Sequence, residues 1–94
     1  MLHILTLEID DHILDKIESK HGIRFEEAEE ICASEDHHVR RGKEGLYKIF
    51  GRTRHGRYIL VVLVNKTRGN WRIVTNREMT DTERKLYKHT LGEK

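Results

Sequence analysis

The segment from Tyr58 to Val64, Tyr-Ile-Leu-Val-Val-Leu-Val, restricts how this chain can fold more than any other part of it. Its β-branched and apolar residues predict a β-strand, and the lack of polar alternation predicts that both faces of that strand are covered. Helices can cover one face. The other face needs the last helix of the chain or a partner.

Two further strands are predicted beside this segment, Leu46 to Arg52 before it and Trp71 to Asn76 after it. The connections are short and contain glycine, which favours an antiparallel meander. Residues 3–8 predict one more short strand. Residues 34–45 are polar and contain two glycines, so they predict a loop or, at most, a weak edge strand.

Two helices are predicted in the first third of the chain. Ile13, Leu14 and Ile17 recur at helical spacing, and Gly22 ends this first helix. A second helix is predicted from Phe25 to Ala33, with apolar residues on one face and glutamates on the other.

A third helix begins near Thr80, because Thr80 and Glu83 form the Ser/Thr-x-x-Glu capping box. A chain of 94 residues has room for one domain. The prediction is therefore a single α+β domain over residues 1–94, with an antiparallel three- to four-stranded sheet, two N-terminal helices and one C-terminal helix.

Cysteine usage and hydropathy restrict the location. Cys32 is the only cysteine, so no intramolecular disulfide can form, and we expect it to act as a small apolar residue of the second helix. No stretch is apolar enough for a signal peptide or a membrane span, so we expect a cytoplasmic protein without a membrane partner.

Charge is divided unevenly along the chain. Residues 1–36 carry eleven acids and three bases, whereas residues 37–94 carry five acids and fifteen bases. A basic region joined to an acidic one attracts polyanions to one side, so RNA or DNA is the leading class of partner.

The arginines of the basic part stand at strand ends and turns, where we expect several to converge on one rim and bind phosphate. These residues are Arg52, Arg54, Arg57, Arg68, Arg72 and Arg77. An equally open interpretation is that they are solvated charges that protect the edges of the sheet.

Several kinds of chemistry lack the residues they need. The seven histidines stand at positions 3, 12, 21, 37, 38, 55 and 89, without the spacing of a zinc site. Ser19 and Ser34 have no nucleophile-elbow context, and no glycine-rich turn suits a nucleotide phosphate. We therefore expect no metal and no other cofactor.

Short blocks spread over about residues 9–87 carry a resemblance to a known family. They are Lys20-His21-Gly22-Ile23, Phe25-Glu26-Glu27-Ala28, Gly51-Arg52-Thr53 leading to Gly56-Arg57, the run Arg72 to Arg77, and Met79-Thr80 with Glu83-Arg84 and Tyr87. In order and spacing they resemble the BrnT family of toxins.

The resemblance implies a bacterial type II toxin-antitoxin component with a RelE-like fold. Such a protein is a small ribonuclease that cleaves RNA without metal, inhibits translation and is held inactive by a cognate DNA-binding antitoxin. We then expect the glutamates of the second helix to form a solvated face or a docking surface for a basic antitoxin. Ile13 stands where the family often has lysine, Leu46 aligns with a family arginine, and Thr75 replaces a serine.

Metal-free RNA cleavage needs a proton acceptor, a proton donor and cations around the phosphorus, and the residues are interpreted accordingly. The predicted catalytic residues are Arg52 and Arg77 for the scissile phosphate, Lys20 and His21 for proton transfer, and Thr75 for a hydrogen bond. The predicted RNA-binding residues are Arg54, Arg57, Arg72, Arg84 and Tyr87.

Four alternatives remain open on sequence alone. Lys20 and His21 could merely complement the dipole at a helix C-terminus, and Tyr87 could be a core residue of the last helix. The chain could be a catalytically inactive BrnT-like module that binds nucleic acid or an antitoxin. The doubly apolar strand could also mark a surface that forms a homodimer or receives a segment of the antitoxin.

Overall fold

The computed structural model describes residues 4–91, which form one mixed α+β domain. Its strands are β1 (Thr6–Glu8), β2 (His38–Arg41), β3 (Leu46–Arg52), β4 (Tyr58–Thr67) and β5 (Asn70–Glu78). Its helices are α1 (Asp11–His21), α2 (Phe25–Ala33) and α3 (Asp81–Thr90), and a single 3-10 turn spans Lys43–Gly45.

The five strands form one sheet in the order β1-β5-β4-β3-β2. The prediction of a purely antiparallel sheet of three or four strands was wrong, because β1 adds a fifth strand that pairs with β5 in parallel. Thr6 lies opposite Asn70, and the Leu5 N–H donates to the Gly69 carbonyl at 2.7 Å. The partner of β1 is distant along the chain, so no local pattern indicates this pairing. His3, at the start of the strand predicted over residues 3–8, lies outside the described residues.

Strand β4 is central, and both of its faces are covered, as its apolar sequence predicts. Ile59, Val61 and Leu63 pack with α2 in one buried cluster. Leu60 and Val62 point the opposite way and pack in a second cluster with Phe50, Met79 and Tyr87 of α3. The last helix thus supplies cover that could otherwise have come from a partner.

The helix boundaries agree with the sequence prediction. Gly22 adopts a left-handed φ of 62° after α1, and its N–H donates to the Glu18 carbonyl at 3.1 Å. The Glu83 N–H donates to Thr80 Oγ1 at 3.2 Å, and the Thr80 N–H donates to Glu83 Oε1 at 2.9 Å. The predicted bounds of α2 and β3 are those observed, and β2 is the weak edge strand.

Cys32 is buried in α2, as predicted for a small apolar residue. Burial, with a smaller contribution from the nearby charge of Glu29, raises the pKa of its thiol to about 12. The thiolate is therefore scarce at neutral pH. Every helix within residues 4–91 is too short or too polar to traverse a bilayer.

Candidate functional site

One face of the sheet carries α3, and three of the predicted catalytic residues belong to it. Arg77 lies opposite Leu60 and Thr75 lies opposite Val62, both of which point toward α3. Arg52 follows Phe50 by two residues in the same strand, so its side chain takes the same side. We call this surface the α3 face.

Arg77 is held on the α3 face by a two-point ion pair. Its Nη1 and Nη2 donate to Oε1 and Oε2 of Glu83 at 2.8 and 2.9 Å, and Nη1 also donates to the Glu78 carbonyl at 3.0 Å. The hydrogen bond with Glu83 raises the pKa of Arg77, and the same bond is the main reason why the pKa of Glu83 falls to about 2. The guanidinium is therefore both charged and fixed in orientation.

The C-terminus of α1 brings Lys20 and His21 to Arg77. These residues line one open depression of about 460 Å³ together with Glu78 and Thr80, and we call it the α1–β5 depression. Lys20 is exposed and His21 is half-buried. The two residues predicted for proton transfer thus share a surface with one predicted to bind phosphate, although they are distant in sequence.

Arg57, which the sequence predicts to contact RNA, forms three contacts within the fold. Its guanidinium donates to Glu27 at 3.0 Å, to Glu78 at 2.8 Å and to the Gly22 carbonyl at 3.0 Å. The hydrogen bond to Glu78 is the largest cause of its raised pKa. Arg57 therefore ties the end of α1 to α2 and β5.

The second helix likewise departs from the solvated acidic face that its glutamates predict. Glu26 and Glu29 are exposed. Glu27 accepts from Arg57 instead, with 14% of its side chain exposed, and the Glu30 carboxylate accepts from the backbone N–H of Arg54. Half of the predicted acidic face is therefore used within the fold.

Arg52, Arg54 and Tyr87 line a second, larger depression of about 670 Å³, with His55 and the acids Glu30 and Asp36 also in its wall. Tyr87 is 3% exposed and belongs to the core cluster under α3. Its hydroxyl donates to the Asp36 carbonyl at 3.1 Å. The alternative of Tyr87 as a core residue thus agrees with its position.

Arg84 approaches the ring of Tyr58, which the sequence predicts only as part of the central strand. Its Cζ lies 4.6 Å from the centroid of the Tyr58 ring, and the Lys88 ammonium lies 5.2 Å from the same centroid. Both Tyr58 and Lys88 were missed as functional candidates. The spacing of Arg84 and Lys88 places them on one side of a helix, but nothing local shows that this side meets Tyr58.

Arg68 and Arg72 lie at the opposite end of the sheet from Arg52. Arg72 pairs with Glu8 at 3.3 Å and lies opposite Val64, six residues along β4 from Tyr58, a distance of roughly 20 Å. Consecutive turns of a meander lie at opposite ends of its strands. The six arginines therefore do not share one rim.

Metal ligands do not gather in the described part of the chain: nowhere in residues 4–91 do three His, Cys, Asp or Glu side chains come close enough to hold an ion. The functional candidates there are cations and hydrogen-bonding groups.

Comparison with known protein families identifies the family of this chain. A family model described as "Ribonuclease toxin, BrnT, of type II toxin-antitoxin system" matches residues 10–83. The chain belongs to the BrnT family. Membership implies an antitoxin partner and an RNA target. The matched segment of this BrnT family member includes Lys20, His21, Arg52 and Arg77, whereas Arg84 and Lys88 lie beyond it.

A solved structure agrees with this assignment at the level of the fold. The chain is similar to the Brucella abortus ribonuclease toxin BrnT, whose crystal structure was determined at 1.1 Å, with a TM-score of 0.66 and 16% identity. The match covers 86% of this chain and 100% of that one. No curated protein sequence matches the chain.

Proposed function

We propose that this BrnT family member is a metal-independent endoribonuclease that inhibits translation, and that it cleaves RNA at the α1–β5 depression. The observation that carries the proposal is the meeting of Lys20 and His21 with Arg77 in one depression. Family membership supplies the class of substrate.

The reaction needs only groups that this depression offers. The 2′-oxygen of a ribose loses its proton and attacks the adjacent phosphorus, the bond from phosphorus to the 5′-oxygen breaks, and that oxygen gains a proton. The products are a 2′,3′-cyclic phosphate and a 5′-hydroxyl. The imidazole of His21 can accept the first proton, and the ammonium of Lys20 can donate the second.

Arg77 suits the charge that develops on the phosphoryl oxygens. A guanidinium has five N–H groups. Arg77 donates three of them to Glu83 and to the Glu78 carbonyl, and it donates the remaining two to no other residue in 4–91. Those two, on Nε and Nη2, share one edge of the planar group, and two parallel N–H groups match two phosphate oxygens.

The test is cleavage of a labelled RNA in the presence of EDTA. Wild-type protein should cut, and His21→Ala should slow cleavage by about 10²-fold or more. Arg77→Lys keeps a charge beside Glu83 but lacks the two-point edge, so it should cut about 10²-fold more slowly. Arg68→Ala is the matched control, because Arg68 is exposed in the turn at the far end of the sheet.

Intact RNA with wild-type protein, or equal rates for His21→Ala and Arg68→Ala, would exclude this site. Circular dichroism of each variant separates a chemical loss from unfolding. The partner is tested in parallel: we propose a DNA-binding antitoxin, which should copurify with this chain and suppress cleavage.

A catalytically inactive module is the second candidate, and the position of Ile13 favours it. The resemblance puts a lysine where this chain has Ile13, so one cation of the family pattern is missing from α1. RNA binding without cleavage, with an affinity that falls steeply as salt rises, would identify this function.

A further inference from the structure

Three cations surround the ring of Tyr58 at the start of β4. Arg84 Cζ, Lys88 Nζ and Arg52 Cζ lie 4.6, 5.2 and 5.8 Å from its centroid. Arg52 also donates from Nη1 to the Tyr58 hydroxyl at 3.4 Å. We call these four residues the Tyr58 cluster. Two of its cations come from successive turns of α3 and the third from β3, so only tertiary packing brings them together.

Positive charge in this cluster is incompletely balanced. Within residues 4–91, neither Arg84 nor Lys88 forms an ion pair, and their contacts are with the face of Tyr58. Like charges four residues apart on a helix repel each other. A tyrosine ring attracts cations through its quadrupole, but it carries no net charge. An anion that binds here would relieve the repulsion.

The Tyr58 cluster lies close to the α1–β5 depression, because both include an arginine of the α3 face. Arg52 and Arg77 project on the same side of the sheet, two strands apart, with a Cα separation of roughly 12 Å from strand spacing and rise. Arg84 directly follows Glu83, the residue that holds Arg77. A strand bound at Arg77 and crossing the first turn of α3 therefore reaches the Tyr58 cluster.

We propose that the Tyr58 cluster binds a backbone phosphate of single-stranded RNA beside the cleavage site. The identity of this substrate rests on the proposed function. The cations lie over the ring of Tyr58, so the ring holds them in position and is not the surface on which a base would stack. Two guanidiniums and an ammonium favour phosphate oxygens, and such contacts are independent of base sequence.

The experiment measures binding apart from cleavage. The probe is a fluorescently labelled all-deoxy oligonucleotide, which presents the same phosphates but lacks the attacking 2′-hydroxyl. The variant is Arg84→Gln with Lys88→Gln, since glutamine keeps the helix and removes the charges. Lys85→Gln is the matched control, because Lys85 is exposed on the same helix and is not one of the three cations that lie over the Tyr58 ring.

The double variant should bind about tenfold more weakly. The slope of log Kd against log salt should decrease by about 0.7, because each phosphate neutralised on a single strand contributes about 0.7 to that slope and the variant loses the one phosphate bound at the cluster. Lys85→Gln should change the affinity less than about twofold. Tyr58→Leu keeps all three cations but removes the aromatic ring that holds them together, so it should also weaken binding. Thermal melting verifies that each variant is folded. Inorganic phosphate, which offers a single phosphate group, should compete only weakly.

Equal affinities and salt slopes for the double variant and Lys85→Gln would overturn the proposal. So would a double variant that binds the oligonucleotide normally but no longer binds the antitoxin, because the cluster would then be a protein-docking surface. If wild-type protein binds the oligonucleotide through the cluster yet leaves RNA intact, the proposed ribonuclease fails and this site stands. If the double variant binds and cuts like wild type, this site fails and the ribonuclease stands.

Discussion

Gly51 of β3 lies directly under Ile31 of α2. A Cβ atom added to Gly51 would come within 2.8 Å of Ile31 Cγ2 and 3.0 Å of its Cδ1. Ile31 is fully buried and cannot turn away without disturbing its neighbours. The absence of a side chain at this position sets how closely α2 approaches the sheet.

Gly51→Ala should therefore lower the free energy of unfolding by about 1–3 kcal/mol through overpacking, measured by urea denaturation. Gly42→Ala is the control, because a Cβ at Gly42 would lie 3.5 Å from the Leu46 carbonyl oxygen, an ordinary contact. A Gly51→Ala protein as stable as Gly42→Ala would show that α2 can move outward freely.

Arg57→Met should destabilise the protein by about 2 kcal/mol, since it leaves Glu27 half-buried without its partner while preserving the apolar stem. Chemical denaturation measures this loss. Adding Glu27→Gln to Arg57→Met should recover part of it, because the unpaired charge is gone. If the single variant costs less than about 0.5 kcal/mol, Arg57 does not hold the three elements together.

Glu83 should make the free energy of unfolding depend on pH in the acid range. Its pKa lies at about 2 in the folded protein, below the ordinary 4.5, so its contribution is complete above pH 4.5 and is lost as the pH falls toward 2. Glu83→Gln should cost about 1 kcal/mol near neutral pH, after allowance for solvent screening, and almost nothing near pH 2. Urea titrations of both proteins at several pH values measure the difference. A constant difference at all pH values would contradict the assignment.

Asn76 should be replaceable with a gain in stability. It is fully buried opposite Val61, and its amide oxygen and nitrogen have no hydrogen-bond partner within residues 4–91. Asn76→Val should raise the free energy of unfolding by about 1 kcal/mol, because it removes two unpaired polar groups from the core. Asn76→Asp should lower it by about 2 kcal/mol or more, because it adds a buried charge. Thermal and urea unfolding test both, and a destabilised valine variant would disprove the reasoning.

Much of the fold can be predicted from local sequence. The glycine after His21 predicts the end of α1, and the capping box at Thr80 predicts the start of α3, because these signals act over a few residues. The continuous apolar run of β4 predicts two covered faces. The short strand β1 is also predicted, but its parallel pairing with β5 is not, since that pairing depends on which edge of the finished sheet remains open.

The candidate site, too, can be predicted from the sequence only in part. The types of residue that it needs, a basic half rich in arginine with Lys20 and His21 in a family block, are readable from the sequence. The spatial arrangement of these residues cannot be read from the sequence. Arg57 forms ion pairs with Glu27 and Glu78, and Arg72 lies at the far end of the sheet.

Most helices and strands, the excess of positive charge in residues 37–94 and the family can be recognised from the sequence, because helix caps, hydrophobic periodicity and short motifs are local properties. Which of the charges meet depends on the tertiary structure. Antiparallel register separates Arg72 from Arg52, and the packing of α3 brings Lys88 to Tyr58. Contacts between residues distant in the chain depend on the register and packing of whole elements, which no short stretch of sequence encodes.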